Sequence, residues 1–365
     1  KEAYGKNSAG KMMSFLFVWQ TMIQAPLVIA SAAIGFAKYF SFLVPLTDIT
    51  EKFVSGGVVI LIVILLYRKI DAIGKISIFL WSGVIITMFW IIGGGIAHGN
   101  FLEPIRNINS GITVDYAFVT AIGFASVKSV YSYLGYYNVC HLGSEIKNPS
   151  KNIPRSMFIS IVGIAFLYFF MNVSVVSVIP WQQAKSSEFV ISEFMETLLG
   201  HNAAIIVTCL ILWVAFASVF SATLGYSRIP YAAAEDGEFF KVFAKLHPTK
   251  NFPYVSLLFL GSMAFIFSMF LKLSEVISAI LAMRIMIQFV GQAVGLLILR
   301  SKRSSDEFPY KMPLFPLPVF LAIAMWLFIL ISTGSKLMFS GLIVIFLGTI
   351  VYFIKATVQK EWPFK

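Results

Sequence analysis

Long apolar runs, separated by short polar segments, recur from one end of the chain to the other. About ten of them approach or exceed the ~20 residues that a helix needs to cross the hydrocarbon core of a bilayer. The pattern therefore predicts an all-α polytopic membrane protein with about ten transmembrane helices. The predicted spans are 12–43, 53–68, 76–98, 116–145, 156–180, 202–227, 253–271, 275–300, 313–333 and 338–356.

The fourth span is interrupted within YSYLGYYNVCHLGSEIKNP (131–149). Tyrosine, glycine and asparagine occupy most of positions 133–138, and glycine in particular lowers helix propensity. Backbone that unwinds at membrane depth persists only where it lines a cavity or packs against protein, and transporters use such broken helices to bind substrates. The alternative is a continuous helix with an aromatic, glycine-containing packing face.

The loop 181–201 is amphipathic rather than membrane-spanning. Ser186 or Ser187 is positioned to cap a short helix. The apolar face of that helix would consist of Val190, Phe194, Met195 and Leu198. Such a helix is either an outer lid over a pathway or an interfacial helix that rests on lipid headgroups.

The composition agrees with the apolar pattern. Of the 365 residues, 58% are hydrophobic and 12% are charged, and the mean hydropathy is +0.85, which excludes an ordinary soluble domain. The two cysteines lie in apolar runs and the four histidines are scattered. We therefore expect no disulfide framework, no metal site and no cofactor.

The positive charge of the chain follows its predicted topology. A net charge of +11 by itself suggests a nucleic-acid partner. However, 20 of the 28 Lys and Arg residues fall in one set of alternating loops and six in the opposite set, while Lys128 and Arg284 fall inside spans. By the positive-inside rule both termini are then cytoplasmic, and no nucleic-acid partner is expected.

Polar residues inside the predicted spans are candidates for function, because ionisable groups at membrane depth are costly. Lys128 lies about five residues before the interruption; it either takes part in proton coupling or snorkels outward. Arg284, Gln288 and Gln292 recur every four residues and would share one helix face. That face either holds Arg284 against carbonyls of the broken helix or against a substrate carboxylate, or it forms interhelical hydrogen bonds. A similar face carries Gln20 and Gln24.

Two long motifs and one shorter one carry a resemblance to a known family. YSYLGYYNVCHLGSEIKNPSKNIPRSM (131–157) resembles the sixth transmembrane segment and following loop of the amino acid–polyamine–organocation transporters. SRIPYAAAEDGEFFKVFAKLHPTKNFPYVSL (227–257) is similar to the stretch of that family at the end of helix eight and before helix nine. FLFVWQTMIQAP (15–26) resembles its third helix. The resemblance covers essentially the whole chain.

The resemblance implies a LeuT-type inverted-repeat bundle in a single transporter domain, 1–365. The ten predicted spans then correspond to family helices three to twelve, and the first two helices, which carry half of the family's substrate site, are lacking. Since no initiator Met precedes Lys1, we expect this chain to be part of a longer protein and not to transport by itself.

The resemblance also implies roles for individual residues. The break at 133–136 would face the substrate, Tyr131 would be a gating aromatic, and Glu145 would hold the cytoplasmic half of the broken helix or be a solvated charge. Gly83 stands where sodium-independent relatives often carry a Lys. The predicted substrate-binding residues are Tyr131, Ser132, Tyr133, Leu134, Gly135, Tyr136, Asn138, Gln20 and Gln24. The predicted coupling or gating residues are Lys128, Glu145, Arg284 and Gln288.

The function implied is secondary active transport of amino acids by alternating access, coupled to protons or by exchange. Neutral substrates are favoured because no Asp or Glu occurs between Asp115 and Glu145. The alternatives are a transporter of cationic amino acids or polyamines and a non-transporting amino-acid sensor; a membrane enzyme is disfavoured because nucleophiles and metal ligands do not cluster. The loop 44–52 has no Cys, so we expect no disulfide-linked heavy chain and favour a permease of the bacterial inner membrane.

Overall fold

The protein is helical throughout the part of the chain that the structure describes. This computed structural model describes residues 9–68, 70–102, 114–142, 146–303, 308 and 312–364. The helices are α1 (Ala9–Leu43), α2 (Asp48–Leu66), α3 (Ile70–His98), α4 (Tyr116–Tyr133), α5 (Pro149–Val176), α6 (Trp181–Ser186), α7 (Val190–Leu199), α8 (His201–Tyr226), α9 (Arg228–Glu235), α10 (Tyr254–Phe270), α11 (Leu273–Arg284), α12 (Val290–Lys302), α13 (Leu317–Ser332) and α14 (Ser335–Gln359). Short 3₁₀ turns lie at Tyr136–Leu142 and Lys241–Ala244.

Each of the predicted spans coincides with a helix of this structure. Seven helical stretches are long and apolar enough to cross a membrane. Two shorter apolar helices, α10 and α13, match the spans predicted at 253–271 and 313–333, and α4 matches the first part of the interrupted span. The predicted all-α polytopic architecture is therefore confirmed, and the protein is an integral membrane protein.

Helix α1 is the central element of the bundle. It packs against α2, α8, α10, α11 and α14. Four alanines on α1 are fully buried and let neighbouring helices approach closely, which is how helices associate in lipid, where apolar burial alone offers little driving force. These residues are Ala25, Ala30, Ala33 and Ala37.

Helix α7 packs on protein along its predicted apolar face. Phe194 and Met195 are fully buried against a cluster contributed by α3, α5 and α8, so the predicted face is confirmed. The Ser187 hydroxyl accepts the Phe189 N–H at 3.1 Å and donates to the Glu193 carboxylate at 2.6 Å. This serine therefore orders the start of α7, although the cap position itself is Phe189, two residues after Ser187 and three after Ser186.

The segment after α14 folds back onto the start of α1 through Glu361. Lys11 Nζ donates to Glu361 Oε1 at 2.9 Å, and the buried Lys355 Nζ donates to Glu361 Oε2 at 3.2 Å. Partial burial by itself raises the pKa of the Glu361 carboxyl, but hydrogen bonds and charges from the two lysines outweigh it and hold the pKa below its ordinary value. This three-residue ion cluster thus joins the start of α1 to α14 and the segment that follows it.

We expect Glu361→Gln to lower the free energy of unfolding by about 1 kcal/mol at pH 7. Because the pKa of Glu361 is lowered in the folded protein, the stabilisation is present at neutral pH and is lost as the pH falls through that lowered pKa. Thermal unfolding in detergent from pH 7 down to about pH 3 should therefore show the wild-type and variant melting temperatures converging below about pH 4.

The matched control is Glu188→Gln, which removes a carboxylate that pairs with Lys38 at 3.1 Å while 64% exposed. Exposed pairs contribute little, so this change should leave the melting temperature nearly unaltered. A difference between wild type and Glu361→Gln that stays constant from pH 7 to pH 3 would contradict the role assigned to the ion cluster.

Candidate functional site

The fourth span breaks where the sequence predicts. Helix α4 ends at Tyr133, Leu134 is extended with ψ 141°, and Gly135 has φ +117°. A residue with a Cβ rarely adopts a backbone conformation of that kind, whereas glycine adopts it readily. The chain then continues as a 3₁₀ turn over Tyr136–Leu142. A continuous helix is excluded, and the predicted interruption is confirmed.

Tyrosines attach the end of α4 to its neighbours. The Tyr131 hydroxyl lies 2.5 Å from the Ser31 hydroxyl on α1. On the other side, Tyr168 of α5 donates its hydroxyl to the Ser132 carbonyl at 3.1 Å, and its ring packs edge-on against Tyr133 at 5.3 Å. The residues just before the break are therefore held between α1 and α5.

Arg284, at the end of α11, is the buried centre of the polar residues around the break. Its Nη2 donates to Gln24 Oε1 on α1 at 2.5 Å and to the Tyr226 hydroxyl on α8 at 2.8 Å. Its guanidinium carbon lies 4.6 Å from the ring centroid of Tyr137, in the turn that follows the break. The side chain is 1% exposed. Four parts of the bundle thus meet at one guanidinium.

A π-helical turn follows Arg284 directly. Residues Ile285–Phe289 form this turn, between α11 and α12. A π turn contains an extra residue, which rotates the following side chains by about 100° relative to an α-helix. Gln288 is buried, but Gln292 is exposed. The predicted single face of Arg284, Gln288 and Gln292 is therefore wrong at Gln292.

The remaining predicted site residues fall into different environments. Gln20 and Gln24 are both 1% exposed on one face of α1. Within the described part of the chain, no hydrogen-bond partner reaches either amide atom of Gln20 or the Nε2 of Gln24. Lys128 is exposed, which agrees with the alternative that it snorkels outward, and its role in proton coupling stays a prediction. Glu145 and the side chain of Asn138 lie outside what the structure describes.

Gly83, where the resemblance implies a lysine in sodium-independent relatives, is covered by an aromatic ring. A Cβ on residue 83 would collide with the indole of Trp213. The Trp213 Nε1 donates to the Leu80 carbonyl at 3.0 Å, which holds the ring in place. Trp213 therefore occupies the space into which a side chain at this position would extend.

Sequence reasoning missed several residues of this region. Their shared signal is a hydroxyl inside or beside an apolar run, and buried tyrosine hydroxyls usually find a hydrogen-bond partner. The missed residues are Ser31, Tyr137, Tyr168 and Tyr226. Among the described residues, His, Cys, Asp and Glu side chains form no group of three or more that could hold a metal ion.

Comparison with known proteins identifies several sequences that are similar to this chain. A family model described as "Amino acid permease" matches residues 3–356. The chain is similar to the branched-chain amino acid permease BcaP of Bacillus subtilis, at 23% identity over 94% of this chain and 76% of the relative. It is also similar to the methylthioribose transporter of Bacillus subtilis, at 21% identity over 96% of this chain and 78% of the relative. The human cystine/glutamate transporter is 24% identical to the chain, over 84% of this chain and 62% of the relative.

The family model spans nearly the whole chain, from before α1 to the last turn of α14. It therefore includes the broken fourth span, the buried Arg284 and the stretches 131–157 and 227–257. The chain belongs to the amino acid permease family.

Proposed function

We propose that the protein transports neutral amino acids across a bacterial inner membrane by alternating access around the break at Leu134 and Gly135. Transport of amino acids is the function of the family to which the chain belongs and appears in the names of relatives. The observation that carries the proposal is the position of the break, which lies beside a buried polar cluster centred on Arg284. Such breaks present backbone groups to a substrate.

The residues around the break then have distinct roles. The substrate would bind against the end of α4 and the 3₁₀ turn, with Gln20 and Gln24 on the facing side of α1. Tyr131, bound to Ser31, would act as a gate that opens when this bond breaks. The substrate-contacting set is Tyr131, Ser132, Tyr133, Leu134, Gly135, Tyr136, Asn138, Gln20 and Gln24. Arg284, Gln288 and Glu145 would support gating.

The charge around the break supports substrates without a cationic side chain. The acidic side chain found buried among the described residues is Glu238, in the segment after α9. A cationic substrate would need a carboxylate near its side chain to offset desolvation, whereas the charged group beside the break is Arg284. The branched-chain specificity in the name of one relative is consistent with neutral substrates, while the methylthioribose transporter shows that substrates differ within the family.

The surroundings of the bundle complete the proposal. The distribution of Lys and Arg supports a cytoplasmic position for both the N-terminus and the C-terminus. The loop between α1 and α2 supports a permease without a disulfide-linked heavy chain, since residues 44–52 contain no Cys.

The proposal is tested by flux measurements on the full-length protein in proteoliposomes. We expect saturable uptake of radiolabelled leucine that unlabelled neutral amino acids inhibit and lysine does not, with protein-free liposomes as the control. Imposing a pH gradient, or preloading with unlabelled leucine, then separates proton coupling from exchange. Saturable leucine binding without flux would instead favour a sensor, and inhibition by lysine alone would favour a cationic substrate.

A further inference from the structure

A groove runs along the surface of the bundle between α2 and α10. Its volume is about 340 Å³, which lies within the ~300–1,000 Å³ of pockets that bind small molecules. On α10 the groove is lined by two adjacent small residues, Gly261 and Ser262. A Cβ at residue 261 would collide with Val63 of α2, so the two helices pack closely at this point. Ser262 is exposed, and its short side chain leaves the groove open to the surroundings of the bundle.

The walls of the groove are apolar and exposed. Ile64 on α2 is 59% exposed, and Leu258 on α10 is 42% exposed. Both helices are apolar elements of the membrane-spanning bundle, and the hydrocarbon core holds no water that could fill a space between them. The occupant must therefore be apolar and flexible enough to follow a groove between two helices, as the acyl chain of a lipid is.

One end of the groove reaches the level where α2 ends and α10 begins. Ile64 lies in the last turn of α2, and Leu258 lies near the start of α10. The ring of Tyr67, directly after α2, packs against the ring of Phe252, shortly before α10, at 4.9 Å between centroids. Tyrosine is enriched where the hydrocarbon core meets the headgroups. This end of the groove therefore lies at the membrane surface, on the side that the distribution of Lys and Arg favours as cytoplasmic.

Basic residues flank this end of the groove. Lys250 Nζ donates to the Tyr67 carbonyl at 2.9 Å and so compensates the negative end of the α2 dipole. Arg68, the next residue, is exposed and takes part in none of the ion pairs seen among the described residues. The adjoining segments 67–75 and 241–250 contain six basic residues and one acidic residue, which are Arg68, Lys69, Lys75, Lys241, Lys245 and Lys250, and Asp71. This excess of positive charge favours an anionic group at the membrane surface.

The start of α10 offers further donors to an anion. The helix begins at Tyr254, and no side chain in the described structure caps its first turn. The N–H groups of such a turn, together with the positive end of the helix dipole, favour a phosphate group. An apolar groove that ends at a positively charged membrane surface matches a phospholipid with a net negative headgroup. A free phosphate ion would account for the charged end alone and would leave the groove unexplained.

We propose that the groove binds one acyl chain of an anionic phospholipid, with the phosphate of its headgroup beside Arg68 and the start of α10. The groove holds the chain, and the basic end selects the headgroup, as basic pockets between transmembrane helices do at the cytoplasmic surface. The site is built from α2 and α10, whereas the break at Gly135 follows α4. Lipid binding is measured without transport, so this inference and the proposed function can fail independently.

The test measures binding of phosphatidylglycerol and phosphatidylcholine, with identical acyl chains, to the delipidated full-length protein in detergent. Native mass spectrometry over a lipid titration gives an apparent Kd for each lipid. We expect wild type to bind phosphatidylglycerol more tightly than phosphatidylcholine. Arg68→Gln removes one charge beside the headgroup and should lower this preference about fivefold, while the affinity for phosphatidylcholine stays unchanged.

Ser262→Trp tests the groove itself. Because Ser262 is exposed, the indole fills the groove without entering the close contact between Gly261 and Val63. We expect the affinities for both lipids to fall about tenfold or more, since displacing two buried methylene groups already corresponds to about that factor. The melting temperature without lipid reports whether the variant is folded. Arg68→Gln changes an exposed residue outside the helices and tests the inference independently of that result.

The matched controls lie on α14. Ser340→Trp adds the same indole at an exposed serine, and Lys336→Gln removes an exposed cation at the start of the helix. Neither should change either affinity. Equal affinities of wild type for the two lipids, or unaltered affinities in both Arg68→Gln and Ser262→Trp, would overturn the inference, because ordinary contact with surrounding lipid then accounts for binding. A changed oligomeric state of Ser262→Trp with unaltered lipid affinity would also overturn it and would assign the groove to a second copy of the chain.

Discussion

Gly135→Ala is expected to lower the transport rate about tenfold or more, because the break in the fourth span depends on a backbone conformation that glycine adopts freely. Gly135 has φ +117°. A residue with a Cβ pays about 1–3 kcal/mol to hold a conformation of this kind, and 1.4 kcal/mol corresponds to a factor of ten. Alanine is the smallest such residue, so the effect reports on the backbone rather than on added volume. Initial rates of uptake in proteoliposomes measure it.

The control for this change is Gly163→Ala on α5. A Cβ at residue 163 would meet nothing within 4 Å, and the glycine lies inside a regular helix. Alanine has a higher helix propensity than glycine. This variant should therefore transport normally and unfold at the same or a slightly higher temperature. If Gly135→Ala transports at the wild-type rate, the break tolerates other backbone conformations. That result would contradict the role assigned to Gly135.

Gly95→Ala is expected to destabilise the protein by about 1–3 kcal/mol, because α3 and α5 cross at this residue with their backbones close together. A Cβ on residue 95 would lie 2.7 Å from the Cα of Ser174, so one of the two helices has to move. The same crossing is joined by hydrogen bonds from Ser174 Oγ to the Ile92 carbonyl at 3.3 Å and from Asn100 N to the Ser177 carbonyl at 2.9 Å. Heating detergent-solubilised protein and measuring the monodisperse fraction gives the melting temperature.

Gly93, two residues earlier in α3, is the matched control. A Cβ there would meet nothing within 4 Å, so Gly93→Ala should unfold at the wild-type temperature or slightly above it. Equal melting temperatures for the two variants would mean that α3 and α5 adjust without cost, contrary to the close packing in the structure.

The spans and the break could be predicted from the sequence because lipid imposes local requirements. A helix that crosses the bilayer needs a minimum length of apolar residues, and each unpaired backbone group in hydrocarbon is costly. Both requirements act within one segment, so composition alone reveals them. The cluster of tyrosine, glycine and asparagine at 133–138 therefore located the break to within a few residues.

The prediction about polar residues that was wrong depended on the local type of helix. The shared face of Arg284 and Gln292 assumed a uniform helical period, and the π turn at Ile285–Phe289 changes that period. The sequence left open whether Lys128 couples protons or snorkels outward, and the structure leaves its side chain exposed on α4. Neither packing nor a local change of helix type has a signature in the spacing of polar residues.

The sequence by itself determined that the chain is a helical membrane protein, where its helices run and which one breaks, since these follow from the solvation of the backbone in lipid. Only the tertiary structure decided which polar groups meet. Arg284 and Gln24 are 260 positions apart and in contact. Gly93, Gly94 and Gly95 form one run in the sequence, yet only Gly95 lies against the backbone of another helix. Contacts of this kind depend on how helices cross, and the crossing is decided by packing across the whole bundle.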